Sequence, residues 1–65
     1  MKVKLFEDER QDSISRFIDD GMIIAWLTFE AQLPEIWYVC RKQGLPLDVT
    51  FSEFQEVFLL IAENY

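Results

Sequence analysis

Residues 22–40 read MIIAWLTF, EAQLP, EIWYVC: two short, almost wholly apolar runs joined by a polar break at Glu30–Pro34. They hold both tryptophans, Trp26 and Trp37, and the only cysteine, Cys40. Whether these runs are strands or helices decides the fold. Periodicity does not choose, because a continuous apolar run suits a buried strand and a buried helix alike. Other signs favour strand for Met22–Phe29. The run is eight residues long, follows a glycine, precedes a polar break, and is rich in Ile, Trp, Thr and Phe, which suit a pleated surface. Pro34 lacks an N–H and biases Leu33 away from the helical region, and a five-residue break suits a hairpin loop. Ile36–Cys40 then reads as the returning strand. The helical alternative rests on Leu33, Ile36, Trp37 and Cys40, which also make one helical stripe, with Pro34 acceptable in a first turn.

Outward from this centre, Met1–Phe6 alternates apolar Met1, Val3 and Leu5 with Lys2 and Lys4, the pattern of a half-buried edge strand. Glu7–Arg10 reads as a charged connector. Asp12 or Ser13 can cap a short helix carrying Ile14, Phe17 and Ile18 on one face, with Gly21 as its left-handed end. Asp19 and Asp20 would then sit unfavourably at the negative end of the helix dipole. On the other side, Gln43-Gly44 marks a turn, and Leu45–Asp48 can return as a short strand with Pro46 at an edge. Thr50-x-x-Glu53 is a capping box, followed by Phe51, Phe54, Val57, Phe58, Ile61 and Tyr65 at helical spacing. Leu59 and Leu60 fall outside that stripe. The expected fold is α+β, in the order β-α-β-β-(β)-α, with a small antiparallel sheet and two helices on one face. An all-α bundle of three or four helices is the alternative.

Sixty-five residues make one domain, residues 1–65, near the lower size limit for a chain that folds alone. Chains of this size often add a disulfide, a metal or a partner subunit. A lone cysteine excludes an internal disulfide and suits a reducing compartment, and with no histidine a metal site is not expected. Phe6–Ser13, FEDERQDS, is charged where a signal peptide would be apolar. No run approaches the ~20 apolar residues of a membrane span. A soluble, cytoplasmic protein is the expectation.

The net charge of −6 disfavours nucleic acid and anionic membranes as partners and allows basic proteins. Cys40 has no histidine to activate it and lies in an apolar run, so it reads as a small buried hydrophobe. Asp19-Asp20 and Glu7-Asp8-Glu9 read as solvated carboxylates, since acid–base catalysis needs a carboxyl in a cleft. Asp48–Phe54, DVTFSEF, resembles the second half of an EF-hand calcium loop, with Glu53 at the bidentate position. The loop positions that should supply oxygens are then Lys42, Gly44 and Pro46, and Leu47 stands where the glycine should be, so calcium binding is not expected. Cys40–Phe54 can also be laid on a helix-turn-helix, but its second helix carries Glu53 and Glu56 and no base. A double-stranded-RNA-binding domain is set aside for want of a basic helix end.

What stands out is an excess of apolar surface. If both central runs were strands, two helices could cover one sheet face only and the other would be an aromatic patch. Trp26, Trp37, Tyr38, Leu59 and Leu60 are the expected interface residues, Trp and Tyr being enriched among binding hot spots. The expectation is a non-enzymatic regulator, inhibitor or adaptor without a cofactor, docking on a protein partner with its acidic rim favouring a basic one. The alternatives are a structural homo-oligomer that buries the face against itself, and an acidic mimic of nucleic acid in a basic groove. Size and acidity alone also fit a bacteriophage or mobile-element accessory protein.

Overall fold

Both central runs are helical. In the computed structural model, which describes residues 5–65, the chain forms α1 (Glu9–Ser15), α2 (Asp20–Leu27), α3 (Leu33–Lys42) and α4 (Phe51–Glu63), and no strand among the described residues. The α+β expectation is therefore overturned, and the all-α alternative with four helices describes the fold. Most of the expected strand at Met1–Phe6 lies outside the described residues. Leu5 and Phe6 are not in a strand, and Phe6 is buried.

The physical reason lies in the caps. Asp19 accepts a hydrogen bond from the Met22 N–H at 2.9 Å and so starts α2. Asp19 and Asp20 are thus at the favourable, positive end of a helix dipole rather than at the negative end of the preceding helix. Gly21 sits in the first turn of α2, where an added Cβ would stand 3.3 Å from the capping oxygen of Asp19. The preceding helix starts earlier than the sequence suggests: Asp8 accepts from the N–H groups of Arg10 and Gln11, and α1 ends at Ser15. Phe17 and Ile18 lie beyond it and still pack on the core.

α3 uses the stripe named as the helical alternative. Leu33, Ile36 and Cys40 are buried and Trp37 is partly so, with Pro34 in the first turn, where its missing N–H leaves no intrahelical bond unmade. Leu45–Asp48 is a turn, closed by Val49 N–H to the Pro46 carbonyl at 3.1 Å, and not a strand. The α4 capping box forms as read: Thr50 Oγ1 accepts from the Glu53 N–H at 3.1 Å, and Glu53 accepts from the Thr50 N–H at 3.1 Å.

The centre of the molecule is α4 rather than residues 22–40. Each of the other three helices packs against it. Phe54, Val57 and Phe58 are its inward face and are essentially inaccessible to water. Around them close Phe6, Ile14, Ile23, Leu33, Ile36, Cys40, Leu45 and Val49. The molecule measures 30 × 29 × 18 Å, so its short axis is about two helix diameters.

Among the described residues, two ion pairs through Arg10 join distant parts of the chain. Arg10 donates from Nε to Glu53 at 3.2 Å and from Nη1 to Asp48 at 3.3 Å, tying α1 to the start of α4. The backbone N–H of Thr50, then the Arg10 side chain, hold the Glu53 carboxyl below its ordinary range. A carboxyl with a depressed folded pKa contributes stability that is present above its unfolded pKa, about 4.5, and is lost as pH falls through the folded value. Glu53→Gln should therefore flatten the acid limb of a stability-versus-pH curve below that point. Urea midpoints of both proteins from pH 7 to pH 3 would check it, and parallel limbs would contradict it.

Candidate functional site

The residues that look most like a small-molecule site do little to support one. Asp8, Arg10, Gln11, Glu53 and Glu56 line a shallow cleft of about 150 Å³ between α1 and α4. Ligand pockets usually start at about 300 Å³. The cation in the cleft, Arg10, is already shared between Asp48 and Glu53. Glu53, the residue of the EF-hand resemblance, is engaged in capping α4 and holding Arg10. No group of three or more metal-ligating side chains is assembled among the described residues.

Cys40 is a core side chain. Its thiol is buried, donates toward the Phe17 carbonyl at 3.1 Å, and lies 3.7 Å from the Met22 sulfur. Burial, with a smaller contribution from Asp19, pushes its pKa up to about 11. A thiol-specific reagent at pH 8 should modify the native protein only as fast as it unfolds, and the urea-unfolded chain at once. Rapid reaction of the native protein would mean that Cys40 is accessible.

The candidate interface residues separate into two groups. Trp26 and Trp37 are partly buried and pack inward. Trp26 meets Phe58 edge-on at 5.5 Å between ring centroids, and Trp37 meets Phe51 edge-on at 5.2 Å. Arg41 lies over the Trp37 ring at 4.9 Å, and the Trp37 Nε1–H is buried without an acceptor among the described residues. Leu60 is also partly buried against the core. Tyr38 and Leu59 are exposed, Tyr38 with Lys42 over its ring at 4.8 Å. The sheet face expected to carry Trp26, Trp37 and Tyr38 is absent among the described residues, and Leu59 and Leu60 lie on α4.

A surface the sequence reading did not single out is the outer side of α2. This helix is apolar almost all round, and such helices are normally buried. Here Ile23 faces the core, with Met22 and Trp26 packed against it, while Ile24 and Leu27 stay exposed. The helix then ends in an unusual way. Phe29 N–H donates to the Trp26 carbonyl at 3.0 Å and Glu30 N–H to the Ala25 carbonyl at 2.9 Å, the paired bonds of a Schellman motif. Such a motif needs a left-handed residue, and Phe29 supplies it with φ of +62°. α3 ends in the same motif with Gly44 at that position, φ +112°, closed by Gly44 N–H to Arg41 and Leu45 N–H to Cys40. Glycine adopts this conformation without steric cost, whereas a side chain pays roughly 1–2 kcal/mol. The Phe29 side chain gains no burial in exchange, since 86% of its surface is exposed.

No family model, no curated protein and no solved structure matches this chain. The site is therefore read from its own chemistry.

The charge around α2 is one-sided. Between Phe17 and Cys40 the chain has four carboxylates, Asp19, Asp20, Glu30 and Glu35, and no base. The bases among the described residues are engaged elsewhere: Arg10 with Asp48 and Glu53, Arg16 with Asp12, Arg41 on Trp37 and Lys42 on Tyr38. α2 thus presents an uncharged strip with acidic residues at both ends. No described helix is long and apolar enough to cross a membrane.

Proposed function

We propose that this chain is a small, acidic, non-enzymatic interaction protein that docks the outer face of α2 on another protein. One observation carries the reading. A large aromatic, Phe29, is held in a strained backbone conformation at the end of an apolar helix, and its ring contributes almost nothing to the core. Strain of this kind gathers at sites that bind, and exposed apolar residues that stand together mark contact surfaces. Ile24 and Leu27 extend the surface along the helix.

A structural homo-oligomer is the second reading, and it too has an observation in its favour. From Gly21 to Phe29 no residue is charged, so the strip on a second copy could lie on it without opposing charges along its length. The acidic-mimic reading draws less support, because Asp12, Asp48 and Glu53 are ion-paired within the chain.

The experiment compares wild type with Ile24→Ser/Leu27→Ser, two exposed positions whose change should leave the fold intact. Native mass is measured by light scattering across a concentration series, and bound proteins are identified after affinity capture from the source cell. A protein retained by wild type and lost from the double variant supports docking on another protein. A wild-type dimer that the substitutions dissociate supports the homo-oligomer. Indifference of both mass and capture to the substitutions removes the face from consideration.

A further inference from the structure

We infer that the outer face of α2 receives a basic amphipathic helix, with Phe29 as the anchoring side chain; the inference rests on the reading of that face given above. It begins from the ends of the strip. Asp19 and Asp20 stand at the N-terminus of α2 and Glu30 directly follows Phe29, and among the described residues none of them is paired with a cation. Eight helical residues span about 12 Å, so the carboxylates bracket an apolar strip of roughly 12–15 Å.

A second copy fits these ends poorly. Laid parallel, two α2 helices set Asp19 and Asp20 against their own counterparts. Laid antiparallel, they set them against Glu30. Both arrangements oppose like charges, which penalises association. A helix with a matching apolar stripe and Lys or Arg at each end of it satisfies the ends and the middle together. The bases should stand about eight to ten residues apart on one face, with apolar residues between them at helical spacing. Phe29 supplies a rigid ring with few rotamers to immobilise, a property that suits an anchor.

The test selects binders without presuming a sequence. A displayed library of helix-favouring random peptides of about 16 residues is panned on the immobilised full chain and counter-selected on Ile24→Ser/Leu27→Ser/Phe29→Gly. Recovered peptides should carry an apolar stripe bracketed by Lys or Arg. Binding of a synthesised winner should weaken about tenfold or more with Phe29→Gly. It should also weaken with rising salt, and Asp20→Asn/Glu30→Gln should reduce that salt dependence. Acidic or uncharged winners, or a winner indifferent to Phe29→Gly, overturn the basic-helix partner. If wild type instead forms a dimer that Phe29→Gly dissociates, the occupant is a second copy: the inference fails and the α2 face stands. If the counter-selected pool is unchanged and no self-association depends on Phe29, the inference and the reading beneath it fail together.

Discussion

Phe58→Ala is expected to remove about half or more of this chain's stability and to leave much of it unfolded at 25 °C. Phe58 is fully buried on α4, makes a T-shaped contact with Trp26 at 5.5 Å between ring centroids, and lies 6.0 Å from the Phe54 ring. α4 is the helix on which the other three pack, so a cavity there loosens contacts to more than one partner. Truncating a buried Phe costs about 3–5 kcal/mol. A chain of this length has a total stability of only about 3–10 kcal/mol at typical values per residue. Loss of the far-ultraviolet helical signal, or a urea midpoint collapsed toward zero, is the expected readout. A variant that keeps most of the wild-type midpoint would show that the core is not centred on α4.

Trp37→Ala is the second large effect, and its comparison with Trp37→Phe carries the information. Trp37 is gripped between Phe51 and Arg41, so truncation loses an aromatic pair, a cation–π contact and buried area, together about 3 kcal/mol. Phe keeps a ring in the same place and removes the Nε1–H, which is buried without an acceptor among the described residues. An unpaired buried donor costs about 1–3 kcal/mol, so its removal should offset much of the lost indole area. Trp37→Phe is therefore expected within about 1 kcal/mol of wild type. Urea unfolding of the three proteins separates the cases. If Trp37→Ala were harmless, Trp37 would be a surface residue available to a partner. If Trp37→Phe were as damaging as Trp37→Ala, the indole N–H would be making a bond that holds the fold.

The parts of the fold that were legible carry strong local chemistry. The Thr50/Glu53 box and the stripe after it announce α4, and Gln43-Gly44 announces a turn, though not that the turn ends a helix. The central runs were not legible, for a definite reason. A helix that is apolar on every side has no period, so Met22–Phe29 offered only length, flanking residues and propensity, and all three pointed to strand. Asp19-Asp20-Gly21 held the missing signal. Taken as the end of one helix it conflicts with the dipole; taken as the start of the next, it supplies a cap and an acidic first turn. With α2 recognised, the stripe of Leu33, Ile36, Trp37 and Cys40 would have followed.

The candidate site was less legible still. Trp26 and Trp37 stand out in the sequence as large aromatics, yet aromatics serve cores as readily as interfaces. Phe29 left no mark in the sequence, because left-handed positions are ordinarily signalled by Gly or Asn. Only the backbone shows that a phenylalanine occupies one.

Phe29 is also where the account is most exposed to test. If its ring is there for contact and not for the fold, Phe29→Gly should remove backbone strain and sacrifice no packing. After the greater unfolded-state entropy of glycine is set against the relieved strain, a net gain of about 0.5–1 kcal/mol remains. Equilibrium urea unfolding of the Phe29→Gly variant beside wild type measures this directly. A midpoint shifted upward is the predicted result. A midpoint lowered by the equivalent of about 1 kcal/mol of stability or more, the size of a lost packing contact, would place Phe29 in the fold and contradict the α2 face as the working surface.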